Sequence, residues 1–132
     1  MDLDPLDRAQ ELASSAVRLA VNFSWARYAL GIARWFAGDA EGGLAELGVA
    51  HALNPNDATI MGDLGQRFAM LAQWDKAVPL LEESYRINPS QPGTYRVGLC
   101  LYHYSQGRFA EALMSSTSIL CVFGPTYSRA AE

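Results

Sequence analysis

The chain is expected to be an all-α stack of antiparallel helix pairs, and three observations predict this. Leu53-Asn54-Pro55 and Ile87-Asn88-Pro89 stand 34 residues apart in matching contexts. The segment ahead of each proline is patterned like one pair of amphipathic helices. The pairs Leu30-Gly31 and Leu64-Gly65 recur at the same 34-residue interval. A unit of about 34 residues holding two helices cannot bury its apolar face alone, so neighbours stack and leave a groove along one side. Binding is the function class that such a groove suits.

Residues 4–21 come first. Ala9 lies 34 residues before Gly43, so Asp4-Pro5 through Val21 reads as the second helix of a partial repeat. Repeat 1 spans 24–57, with Leu30-Gly31, a turn at Gly38-Asp39, Leu44 and Leu47 on its second helix, and Pro55 at its close. Repeat 2 spans 58–92, with Leu64-Gly65, a turn at Ala72, then Ala77, Leu81 and Pro89. Repeat 3 spans 93–124. Its Leu99, Cys100, Gly107, Phe109 and Ala112 fall 35 residues after their counterparts, and the extra residue fits the connection from Pro89 to Gly93. Residues 125–132 read as the start of a further repeat. Neither end looks like a finished cap, so the sequence predicts either self-association through the ends or continuation in a longer protein.

The small residues have a mechanical reading. Gly31, Gly65 and Cys100 let paired helices approach, as do Ala77 and Ala112 early in the second helices. Each closing proline biases the preceding Asn away from helical angles and ends the helix. Pro79 lies inside a second helix; its missing donor would have bonded Asp75, read here as the first bond of that helix, so the loss is local. Asp39 and Asp75 sit at or near helix starts, and Glu82-Glu83 reads as a solvated outer face.

These landmarks together resemble the tetratricopeptide repeat, and the resemblance covers nearly the whole chain. It implies a right-handed solenoid whose first helices line the concave face. The wording Asn-Pro-Ser-Gln-Pro-Gly-Thr-Tyr, Leu-Cys-Leu-Tyr-His-Tyr and Gly-Arg-Phe-Ala-Glu-Ala-Leu resembles repeats appended to bacterial signalling proteins. Such arrays follow class III adenylate cyclase or winged-helix domains, which implies a regulatory or interaction role in a larger protein.

On the tetratricopeptide geometry the partner-binding groove is assigned to Trp25, Tyr28, Ile32, Trp35 and Phe36 of repeat 1. Repeat 2 adds Thr59, Gln66, Ala69 and Met70, and repeat 3 adds Thr94, Val97, Leu101 and Tyr104. Rigid aromatics give contact area at low entropic cost, so a partner helix or peptide suits this stripe. The same side chains could instead fill the inside of the superhelix. Tyr28 with Ile32, and Gly62 with Gln66, provide no ammonium clamp for a chaperone's terminal carboxylate. Arg27 and Arg34 flank Gly31 at spacings of four and three, so their guanidinium groups share one helix face. They could meet one anion or acidic segment, or cover apolar surface with their heads paired to Glu11 or Glu41. Arg96 has the matching place in repeat 3.

Other classes are disfavoured. The net charge of -4 and the scattered ten basic residues argue against nucleic acid. The acidic start, Met1-Asp2-Leu3-Asp4-Pro5, lacks the basic region of a secretory signal, and no apolar run is long enough to span a membrane. The two cysteines, Cys100 and Cys121, suggest no disulfide framework and fit a cytoplasmic setting. Cys100 and His103 share a helix face but make only half a metal site. No catalytic residue, metal or cofactor is assigned. The expected role is a protein-interaction or regulatory scaffold; the alternatives are a free-standing cytosolic adaptor or chaperone, and a sensory or dimerisation module controlling a cyclase-type domain elsewhere.

Overall fold

The computed structural model describes residues 4–91 and 93–120, with the side chains of 94 and 117–120 outside the description. Among the described residues all regular structure is helical: α1 (Pro5–Leu19), α2 (Ser24–Phe36), α3 (Ala40–Leu53), α4 (Ala58–Met70), α5 (Trp74–Ile87), α6 (Val97–Ser105) and α7 (Phe109–Leu120). A 3-10 turn, Gly93–Arg96, leads into α6. The expected repeat opening at 125–132 lies outside the described residues, as does Cys121.

Helix starts are held by acidic caps. Asp4 accepts from the Leu6 amide at 3.0 Å, with Pro5 at the first helical position. Asp39 accepts from Gly42 at 2.8 Å, and Asp57 accepts from Thr59 and Ile60 at 2.9 and 3.1 Å. Helices α3 and α5 stop at Leu53 and Ile87, where Asn54 and Asn88 turn to ψ values of 78° and 84° ahead of their prolines. Pro79 needs a correction. The Ala77 amide already bonds the Gln73 carbonyl, so the bond missing at Asp75 lies inside the ladder and is not its first. Helix α5 nevertheless runs unbroken to Ile87, with Pro79 exposed.

Three turns share one hydrogen-bond pattern. Asp39 bonds back to the Arg34 carbonyl at 2.9 Å, Gln73 to Phe68 at 3.0 Å and Arg108 to His103 at 2.9 Å. Each encloses a residue in the left-handed region: Gly38 at φ 91°, Ala72 at 55° and Gly107 at 70°. This is the Schellman closure, which satisfies helix-end carbonyls and reverses the chain within a few residues.

The chain forms two compact units, divided between Ile60 and Met61 inside α4. In the first, α1 meets α2 through Ala13, Val17, Ala26 and Leu30. Helices α2 and α3 approach backbone to backbone: a Cβ on Gly31 would lie 2.8 Å from Leu47 Cγ and 3.0 Å from the Gly43 carbonyl, and one on Gly43 would lie 2.9 Å from the Gly31 carbonyl. In the second unit, Ala69 of α4 packs with Ala77 and Leu81 of α5, flanked by Phe68, Trp74 and Leu99. A Cβ on Gly65 would meet Leu81 Cγ at 3.0 Å. For the third pair the tight approach occurs at Gly98, where a Cβ would lie 2.6 Å from Leu81 Cδ1; Cys100, the position expected from the repeat, is half-buried.

Candidate partner-binding surface

Helix α2 divides its residues by face. Ala26, Leu30 and Ala33, spaced by four and three, are buried. Trp25 and Phe36 are left exposed, and Tyr28 and Ile32 half-buried. Trp25 and Tyr28 brace each other edge to face, with ring centroids 5.0 Å apart. Tyr28, Ile32 and Phe36 form one wall of an open apolar groove of about 470 Å³ whose other wall is Leu6, Ala9 and Leu12 of α1. Trp35 stands apart from it. Its backbone packs where Gly43 approaches, on the α3 side of the helix.

In the second unit Met70, Leu101 and Tyr104 are exposed, with Tyr104 set edge to face against Phe109 at 5.4 Å. Val97 and Met70 line a recess of about 320 Å³ together with Asp63, Gln66, Arg67 and Tyr95. Two assigned positions are corrected. Ala69 is 2% exposed and belongs to the α4–α5 core. Gln66 is 6% exposed, and its Oε1 accepts the Gly98 amide at 2.9 Å. That amide lies in the first turn of α6, where no intrahelical α-type acceptor is available, so Gln66 is drawn inward to serve it. Thr59 is half-buried at the start of α4, and the side chain of Thr94 falls outside the description.

Asp63, Arg67, Tyr95 and Phe109 escaped the sequence assignment. Asp63 and Arg67 stand 3.9 Å apart as an i,i+4 pair on α4, a spacing readable in the sequence. Tyr95 gave no comparable signal, because it sits in the 3-10 turn ahead of α6.

The arginine stripe does converge on one carboxylate, supplied by α3. Arg27 Nη1 is 2.9 Å from Glu46 Oε2, and Arg34 Nη1 is 3.7 Å from Glu46 Oε1. Glu46, rather than Glu11 or Glu41, is the acidic partner. Arg96 instead lays its guanidinium over the Tyr85 ring at 4.1 Å. On α5, Arg86 donates to both oxygens of Glu83 at 2.7 and 2.6 Å. This hydrogen bonding holds the Glu83 carboxyl below its ordinary range and raises Arg86, but solvent surrounds the pair and its contribution to stability is small. Among the described residues no three His, Cys, Asp or Glu side chains gather as a metal site, and no helix is long and apolar enough to cross a membrane.

The arrangement of helices is matched by solved structures of MamA. One MamA crystal structure superposes with a TM-score of 0.73 at 24% identity, covering 87% of this chain and 67% of that one. A second gives 0.73 and 24% over 87% of this chain and 62% of that one. A structure titled MamA AMB-1 gives 0.68 and 19%, covering 95% of this chain and 68% of that one. The fold is of the tetratricopeptide type. The chain therefore spans about two thirds of the length of the MamA chains that it matches. No protein-family model matches the sequence, and no curated protein is similar enough to serve as a relative.

Proposed function

We propose that the chain is a protein-interaction scaffold that holds a helix or peptide on the apolar faces of its first helices. The supporting observation is the exposure of large apolar side chains on those helices: Phe36 is 61% exposed, Met70 54% and Tyr104 65%. Burying such groups against a partner removes apolar area from water, and aromatic anchors dominate the energetics of protein interfaces. The MamA-like fold supports a scaffold role, and Arg27 and Arg34, being held by Glu46, are secondary to the apolar anchors. The test is photo-cross-linking in the source cells from a reactive phenylalanine analogue placed at Phe36, Tyr104 or Glu82. Protein adducts from the first two positions and none from exposed Glu82 on α5 support the reading; equal adducts from all three, or none, overturn it.

The repeat wording carries the finer part of the proposal, a cytoplasmic regulatory segment of a larger bacterial signalling protein. The intact mass of the native protein tests this. A mass several-fold above 14.4 kDa supports the larger protein, and a mass near it favours a free-standing adaptor that can self-associate.

A further inference from the structure

The groove between α1 and α2 has an internal counterpart in the second unit, and there it is filled. Helix α5 follows α1 by 68 residues: Ala77, Leu80, Leu81 and Ser84 correspond to Ala9, Leu12, Ala13 and Ala16. Helix α6 corresponds to α2 in the same way, with Gly98 in the place of Ala29. In the second unit, α4 lies against both. Its Ala69 joins Ala77 and Leu81, a Cβ on its Gly65 would come 3.1 Å from Leu80 Cβ, and its Gln66 accepts the Gly98 amide at 2.9 Å. In the first unit the matching positions are open: Ala9, Ala16 and Ala29 are exposed, and Leu12 is 64% exposed.

We infer that the α1–α2 groove is the docking site of an apolar amphipathic helix, running antiparallel to α1, with a small residue at its centre and uncharged bulk on either side of it. The charge requirement follows from comparing the helix pairs. In α2 the residues four before and three after Gly31 are Arg27 and Arg34, and α3 meets them with Glu46. In α4 the same places around Gly65 hold Met61 and Phe68, and α5 carries Leu80 where α3 has Glu46. Helix α1 carries Leu12 at that place. An arginine-bearing helix would bury its charges against Leu12 without a partner, whereas a helix of the α4 type would extend the apolar contact. Small residues at Ala9 and Ala13 leave room for close approach.

The inference rests on reading the exposed α2 face as a partner surface, and it names the occupant of that surface. Its test uses two end-blocked peptides titrated into the full chain by fluorescence anisotropy: residues 57–71, the α4 type, and residues 23–37, the arginine-bearing type. The first is expected to bind saturably and the second about tenfold or more weakly, with Leu12→Glu reversing that order. A 57–71 peptide carrying Gly65→Leu is expected not to bind, which tests close approach without altering the protein. Helicity by circular dichroism verifies that the Leu12→Glu chain is folded. Failure of the 57–71 peptide to bind, equal binding of both peptides, or indifference to Leu12→Glu overturns the inference. Self-association of the peptide-free chain that Leu12→Glu abolishes would also overturn it, by making a second copy the occupant. Cross-linking from Tyr104 does not depend on Leu12, so failure here is distinguishable from failure of the scaffold reading.

Discussion

Ala72 closes the α4–α5 turn with φ at 55°, a conformation that its counterparts Gly38 and Gly107 adopt as glycines. In the left-handed region a Cβ crowds the neighbouring carbonyl, and only part of that cost is offset by the smaller unfolded-state entropy of alanine. Ala72→Gly is therefore expected to stabilise the chain by about 0.5–1 kcal/mol in denaturant unfolding. Two glycines of the α2–α3 pair give opposite expectations. A Cβ at Gly31 would press on Leu47 and on the Gly43 backbone, which cannot withdraw, so Gly31→Ala should cost about 1–3 kcal/mol. Gly48 on α3 has no atom within 4 Å of its would-be Cβ, so Gly48→Ala should gain about 1 kcal/mol from helix propensity. Unfolding both variants side by side checks close approach against the general cost of glycine in a helix.

At the scale of elements, the α2–α3 pair is held by a polar clasp where α4–α5 uses apolar contact. Glu46 is largely shielded from water and faces two guanidinium groups, so Glu46→Gln is expected to cost about 1–3 kcal/mol, read as a lowered unfolding midpoint. An unchanged midpoint would show that the clasp is ornamental. The arginine face was legible from the spacing of Arg27, Gly31 and Arg34. Its partner was not, because Glu46 lies 19 residues beyond Arg27 on another helix, and three carboxylates were within plausible reach by sequence alone. The turns were legible for the reverse reason: Gly38, Ala72 and Gly107 act on backbone within a few residues of themselves.

For the molecule as a whole, helix number and pairing were readable because a 34-residue repeat with proline punctuation states them several times over. The outward faces were less readable. Periodicity identifies which residues share a stripe, but the neighbouring helix decides which edge of the stripe is covered. Ala69 and Gln66 fall on the α4 stripe assigned to the groove, and both are consumed by packing on α5 and by the first turn of α6. Phe36, Met70 and Tyr104 lie where no neighbour covers them. The central claim is that these exposed groups serve a partner and not the fold. It is tested most directly on the Phe36→Ser, Tyr104→Ser double variant, by measuring its thermal midpoint together with its capture of the protein cross-linked by the wild-type chain. The account predicts a midpoint within about 3 °C of wild type and loss of capture. A fall of more than about 8 °C, or capture at the wild-type level, would contradict it.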